Sequence, residues 1–372
     1  MKLKSLAFVD KSRNISIDNV EFSNFTLFVG ASGAGKTQIL HAVKTLGRIC
    51  AGTINRSIEW SAVFENNGSS YLWKGATKRI GAAPDLDDFG VFFQKDENKP
   101  SVKFLNEAIS KNDIILASRK GKSVEFRRTK MPKLADTVSI ATLFKDEKDI
   151  QDIYRYCEKI EDLGHVLPDI IEPESKKSRF KTFDALVNSP IDIIEKAHIA
   201  FSSFEKEFVE IENAFKDIFP FVERLSVVSR GKKSIFGSNK IIHMKEIGID
   251  KSIPITRFSS GMVKTLMILL SIFLSPKGSV IIIDELENCL GVNCLDSVVD
   301  KLQDNNRNFQ AILTSHHPYI INAIDSAYWR LVTRKMGKIT SKPVRESLSV
   351  KSKHDAFMQL MQMKEFRDGV AI

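Results

Sequence analysis

Residues Gly30 to Thr37 read G-A-S-G-A-G-K-T, and the apolar, β-forming run Phe25 to Val29 ends immediately before them. The spacing is G-x-x-x-x-G-K-[ST], and few short segments constrain a chain more tightly. A buried strand has to lead in, a loop has to turn so that its N–H groups converge on phosphate oxygens, and a helix has to lead away. Gly30, Gly33 and Gly35 permit the turn, with Ala31, Ser32 and Ala34 between them in the loop. The Lys36 ammonium is a point charge for the β- and γ-phosphates, and the Thr37 hydroxyl is a ligand for Mg²⁺. Gln38 to Leu46 continues as a helix whose N-terminal dipole also favours an anion. Gly30 through Gln38 are therefore the candidate nucleotide-binding residues.

A second segment, Val280 to Glu285, reads V-I-I-I-D-E. Four β-branched residues make a strand buried on both faces, as in parallel sheets. Asp284 and Glu285 stand at its C-terminal end, where open α/β sheets bind ligands. There Asp284 can hold Mg²⁺ through water, and Glu285 can orient the attacking water.

Two more segments complete an ordered quartet. Arg257 to Met262 reads R-F-S-S-G-M, with Gly261 lying 23 residues before Asp284, and Thr314 to Pro318 reads T-S-H-H-P after the apolar run Ala311 to Leu313. This arrangement resembles the ABC-type ATPases, and within them the branch of SMC, RecF and OLD-type proteins. The resemblance implies that Ser259, Ser260 and Gly261 are the signature and that His316 is the switch histidine. Phe258 replaces the usual Leu, and His317 stands where that branch usually has Ser. A Q-loop glutamine is expected between P-loop and signature. Gln94, about 60 residues after Lys36, is the candidate and would be a metal ligand. Leu290 and Gly291 occupy the D-loop region without its usual Asp or His, and take no catalytic role. The resemblance further implies that one subunit's signature completes the other's ATP site. ATP with Mg²⁺ would then join at least a homodimer, and hydrolysis would release it.

The fold class expected is α/β: an ABC-type P-loop NTPase head with a mixed or parallel sheet, helices, an antiparallel β subdomain and a short helical insertion. Strand candidates are Leu3 to Phe8, Ile15 to Val20 and Phe25 to Val29, and Val63 to Trp73 alternates around Asn67-Gly68, a hairpin signal. From Glu147 the period turns helical, with Ile150, Ile153, Tyr154, Cys157 and Ile160 on one face. A second helical stretch covers Phe183 to Phe219, broken near Pro190, and Pro168 to Lys181 reads as a polar, basic loop. The expected division is an N-terminal lobe over 1–145, a helical insertion over 146–225 and a C-terminal lobe over 226–372.

At 372 residues, 43% hydrophobic and 27% charged, the composition is that of a globular protein. No apolar run approaches the ~20 residues needed to cross a bilayer. The N-terminus also lacks the apolar core of a signal peptide. Cys50, Cys157, Cys289 and Cys294 form no C-x-x-C pair, so reduced thiols in a cytoplasmic protein are expected. The net charge is +9, with basic clusters at Arg119-Lys120-Lys122, Arg127-Arg128-Lys130-Lys133, Lys176-Lys177-Arg179-Lys181 and Arg230-Lys232-Lys233 that could track a phosphate backbone.

OLD-type proteins continue into a Toprim nuclease, for which the 55 residues after His317 leave no room. The expectation is a nucleotide-gated sensor acting on a separate effector, a nuclease. It would resemble the stand-alone ATPases of anti-phage defence, such as the Septu-type, retron-associated and PARIS-type proteins. The alternative is a RecF-like DNA-repair ATPase.

Overall fold

The computed structural model describes residues 1–80, 102–163, 180–229, 240–288, 290–304, 308–345 and 352–370. The chain divides into two compact units. Unit 1 is Met1–Ile160 with Ser326–Ile372, and unit 2 is Glu161–Asp325.

The N-terminal part of unit 1 holds β1 (Lys2–Asp10), β2 (Ile15–Glu21), β3 (Phe25–Val29), α1 (Lys36–Cys50), β4 (Ile58–Asn66), β5 (Ser69–Arg79), β6 (Val102–Lys111), β7 (Ile114–Lys120), β8 (Ser123–Phe126), β9 (Thr129–Lys130), α2 (Ile140–Leu143) and α3 (Lys148–Glu158). Unit 2 follows with β10 (Ile160–Asp162) at the boundary, α4 (Phe183–Val187), α5 (Ile193–Ser203), α6 (Glu205–Ile218), β11 (Val222–Ser229), β12 (Lys240–Glu246), β13 (Ile253–Pro254), α7 (Ser260–Leu274), β14 (Val280–Ile283), α8 (Val292–Gln303), β15 (Gln310–Thr314) and α9 (Pro318–Ala323). The chain returns to unit 1 with β16 (Trp329–Lys335), β17 (Lys338–Pro343), α10 (Lys353–Gln362) and α11 (Lys364–Asp368).

Within unit 1 the strands run β3-β16-β17-β2-β1-β4-β5-β6-β7-β8-β9. The β3–β16 and β17–β2 pairs are parallel, and from β2 outward every pair is antiparallel. The β4–β5 hairpin turns at Asn67 (φ 48°) and Gly68 (φ 75°), the doubly positive pair that suits the twist of a two-residue loop. Alternation then sorts the faces. Ile58, Trp60, Ala62 and Phe64 point inward, and Trp60 meets Trp73 edge-on at 5.5 Å between ring centroids. Helix α1 covers the core with Ile39, Leu40, Val43, Leu46 and Ile49, each burial contributing about 1.5–3 kcal/mol. At the end of α1 the Cys50 thiol lies beside the free thiol of Cys157 on α3, and a hydrogen bond between the two, together with burial, holds it well above the ordinary thiol range.

Two buried charges hang the segment before α2 onto this sheet. The Glu107 carboxylate accepts from Trp73 Nε1 (2.8 Å), Ser139 Oγ (2.5 Å) and Ile140 N (2.8 Å), while Arg119 donates to Val138 O (2.6 Å) and Ala135 O (2.9 Å). Burial pushes Glu107 above the ordinary carboxylate range against the pull of those donors.

In unit 2, β14 pairs parallel with β15 and is flanked by β10, and β11-β12-β13 form a separate antiparallel sheet. Helix α7 is apolar almost all round, and α5, α6 and α8 pack on it. The fold is thus mixed α/β, as expected. The helical stretch is divided between the two units. Its first helix, α3, packs on α1 in unit 1, and α5 and α6 pack on α7 in unit 2. The expected loop at Pro168 to Lys181 lies outside the described residues except at its last two positions.

Candidate nucleotide site

In unit 1 the wholly buried β3 delivers the chain to the loop Gly30–Gly35, and α1 begins at Lys36. Gly30 is required twice: its φ is 146°, and a Cβ there would stand 2.6 Å from Val332 O on β16. Lys36 is buried, and its ammonium donates to Gly30 O (2.7 Å) and Ala31 O (2.9 Å), so the loop closes on its own lysine. Ser32 and Gly33 are exposed, and Thr37 and Gln38 are half-buried in the first turn of α1. A cleft runs from Gln38 along α1 past His41 and Arg48 and is closed opposite by Arg13, Asn55 and Arg56. The buried Asp10 shapes that wall. It accepts from Ser12 N (3.0 Å) and Arg13 N (3.2 Å) and pairs with Arg56 at 3.5 Å.

Unit 2 carries the other three segments. Parallel β14 and β15 end side by side, which places Asp284 next to Thr314. Thr314 Oγ1 donates to Asp284 Oδ1 (2.6 Å) and accepts from Glu285 N (2.7 Å), so one hydroxyl holds the carboxylate of one acid and the backbone of the next. Glu285 takes a left-handed backbone, φ 48°, that turns its half-exposed carboxylate out of the strand direction. His316 stands beside it, Nδ1 at 3.9 Å from Glu285 Oε1. Its closer partner is Glu287, whose Oε1 lies 2.9 Å from His316 Nδ1 and accepts from His316 N at 2.8 Å. His317 serves the next helix instead, where its Nδ1 accepts from Tyr319 N (3.3 Å) and caps α9.

The signature residues form the N-terminus of α7. Ser259 caps the helix by accepting from Met262 N (3.3 Å), and Ser259 and Ser260 are exposed. One turn in, the buried Lys264 donates to Glu285 O (3.2 Å) and Asn288 O (2.6 Å), tying the signature helix to the acid-bearing loop.

Thr314, Glu287 and Lys264 were not singled out from the sequence. Glu287 had a signal, the third acid of D-E-L-E, and Thr314 opens the T-S-H-H-P segment, whereas Lys264 had none. Gln94 lies outside the described residues, as do Lys176, Lys177, Arg179, Arg230, Lys232, Lys233 and Cys289. Gly291 caps α8. Of the basic residues expected to meet phosphate, Arg119 is buried in the bonds to Val138 and Ala135, and Arg127 pairs with Asp149 at 3.3 Å; Lys120, Lys122, Arg128, Lys130 and Lys133 are exposed or half-buried. Among the described residues, no helix is long and apolar enough to cross a membrane, and no cluster of three or more His, Cys, Asp or Glu could hold a metal.

Unit 1 thus carries the strand, the glycine loop and the helix, and unit 2 carries two acids and a histidine at the ends of parallel strands. Comparison with known proteins gives the following. A family model described as "AAA domain, putative AbiEii toxin, Type IV TA system" matches residues 145–322. An SMC head bound to the C-winged helix domain of ScpA is similar at TM-score 0.50 and 15% identity, over 94% of this chain and 100% of that one. The SMC head domain from Thermotoga maritima gives 0.45 and 16%, over 92% and 99%. No curated protein sequence matches the chain. The chain has the fold of an SMC head domain.

Proposed function

We propose that this protein binds ATP with Mg²⁺ and hydrolyses it. The carrying observation is the loop Gly30–Gly35, shaped around the Lys36 ammonium. Phosphate oxygens would take the place of the Gly30 and Ala31 carbonyls on that ammonium, a stronger charge-assisted pairing. Because Gln38 follows Thr37 directly, the cleft along α1 opens beside the phosphate loop. Thr37 offers a hydroxyl and Asp284 a carboxylate, hard oxygen donors of the kind Mg²⁺ takes while keeping waters. Bound Mg²⁺ would supply charge neutralisation on the phosphates. Glu285, whose backbone is held by Thr314, accepts the proton of the attacking water, and His316, held by Glu287, stands 3.9 Å from that base.

The exposed signature at the start of α7 supports a homodimer in which Ser259, Ser260 and Gly261 meet nucleotide held by the other chain. On this reading ATP gates a separate effector, a nuclease, in anti-phage defence. The toxin–antitoxin description of the matching family model fits a protein that works with a second polypeptide. A RecF-like repair role is the second reading. It draws support from residues 102–133, where nine Lys and Arg stand against three Asp and Glu, a face suited to nucleic acid.

The experiment is Lys36→Ala with binding of a fluorescent ATP analogue and Mg²⁺. Loss of binding is expected, and unchanged affinity would remove the P-loop assignment.

A further inference from the structure

The end of α11 lies against the phosphate loop. At Gly369 the φ is +66°, and a Cβ there would stand 3.0 Å from Ala31 Cβ and 3.6 Å from Ala34 Cβ. A glycine makes this approach without strain, whereas the left-handed backbone and the 3.0 Å spacing both disfavour a side chain. The segment is fixed on both sides. Gly369 O accepts from Arg334 N (2.8 Å) at the end of β16, and Gly369 N donates to Glu365 O (3.0 Å). Glu365 in turn pairs with Lys342 of β17 at 2.9 Å, which holds its carboxyl below the ordinary range. The loop residue that Gly369 touches is Ala31, whose carbonyl receives the Lys36 ammonium. One residue of the P-loop therefore faces the lysine with its oxygen and the C-terminal segment with its methyl.

We propose that the segment Lys364–Val370 is a brace for the phosphate loop, and that Gly369 is a positioning residue for nucleotide binding. The inference rests on the P-loop reading above. When phosphate draws Lys36 away from Ala31 O, that peptide loses one of its anchors, and the contact with Gly369 keeps the loop in its cradle shape. Nucleotide occupancy and the order of the brace are then coupled, each favouring the other.

Three measurements test this. Gly369→Ala sets a methyl against Ala31 and is expected to weaken binding of a fluorescent ATP analogue roughly tenfold, with the thermal transition kept. In an Ala31→Gly background, where the opposing methyl is gone, that loss should shrink by about threefold or more. An equal loss in both backgrounds, or no loss, overturns the brace. Hydrogen exchange at the Arg334 amide of the unaltered protein gives a readout that does not depend on the variant folding. Mg-ATP should slow exchange there, and indifference to nucleotide overturns the proposal. Lys36→Ala separates the two readings. If it abolishes binding while Gly369→Ala has no effect, the brace alone fails; if it binds normally, the P-loop reading fails first.

Discussion

Glu285 holds a backbone conformation that few non-glycine residues adopt, at a cost of about 1–2 kcal/mol. The strain persists because both of its backbone groups are engaged, N–H by Thr314 Oγ1 and C=O by Lys264 Nζ. The carboxylate takes no part in those bonds. Glu285→Gln should therefore keep the loop and bind ATP, yet lose hydrolysis by at least ~10²-fold, the scale of acid–base assistance. Turnover with sizing in the presence and absence of ATP checks this, and wild-type turnover would place the base elsewhere. At this scale the sequence was readable where chemistry sits in a contiguous string. Lys36, Asp284, Glu285 and His316 belong to such strings, and Ala31 is placed by its position in the loop. Thr314, Glu287 and Lys264 act through partners 21 to 30 residues away, at distances only the folded loops create. Gly369 gave no sign at all, since its role depends on a segment some 340 residues earlier returning beside it.

Among the elements, the sheet around Glu107 offers the clearest test. Glu107→Gln keeps the size but turns an amide N–H₂ toward a donor, either Ile140 N–H or the Trp73 and Ser139 pair. The variant should lose about 1–3 kcal/mol in denaturant unfolding. The pH dependence has a defined sign. Because burial raises the Glu107 carboxyl above its unfolded value, its contribution is fullest below that unfolded value and is lost as pH rises through the folded one. The gap between wild type and variant should therefore widen as pH is lowered through the folded value toward the unfolded one, and a gap that narrows would mean the carboxylate is stabilised by its donors instead. Local patterns foretold these elements well. The Asn67-Gly68 turn, the period of α3 and the break near Pro190 are all properties of neighbouring residues. The break between α5 and α6 was not visible, because it falls at Phe204. That residue carries no turn chemistry, and its ring instead meets Phe183 at 5.7 Å.

For the whole molecule, the proposal that matters is sharing. Lys36→Ala and Ser260→Arg should each be inactive alone. Mixed with free exchange of subunits, heterodimers would hold one intact composite site, and partial ATPase activity should return. If mixed dimers form and remain silent, independent composite sites are ruled out. The grouping of segments into units was the least readable level. Helical period shows that α3 and α6 are helices but not what they lie on, and that partnership sends one to each unit.

The ammonium of Lys264 has a consequence at this same level. It makes the exposed tip of α7 and the turn bearing Glu285 a single mechanical piece. On the proposed reading, a partner that grips Ser259–Gly261 would thereby also touch the turn that carries its host's base, and each half could sense through one side chain that the other is loaded while each site still turns over by itself.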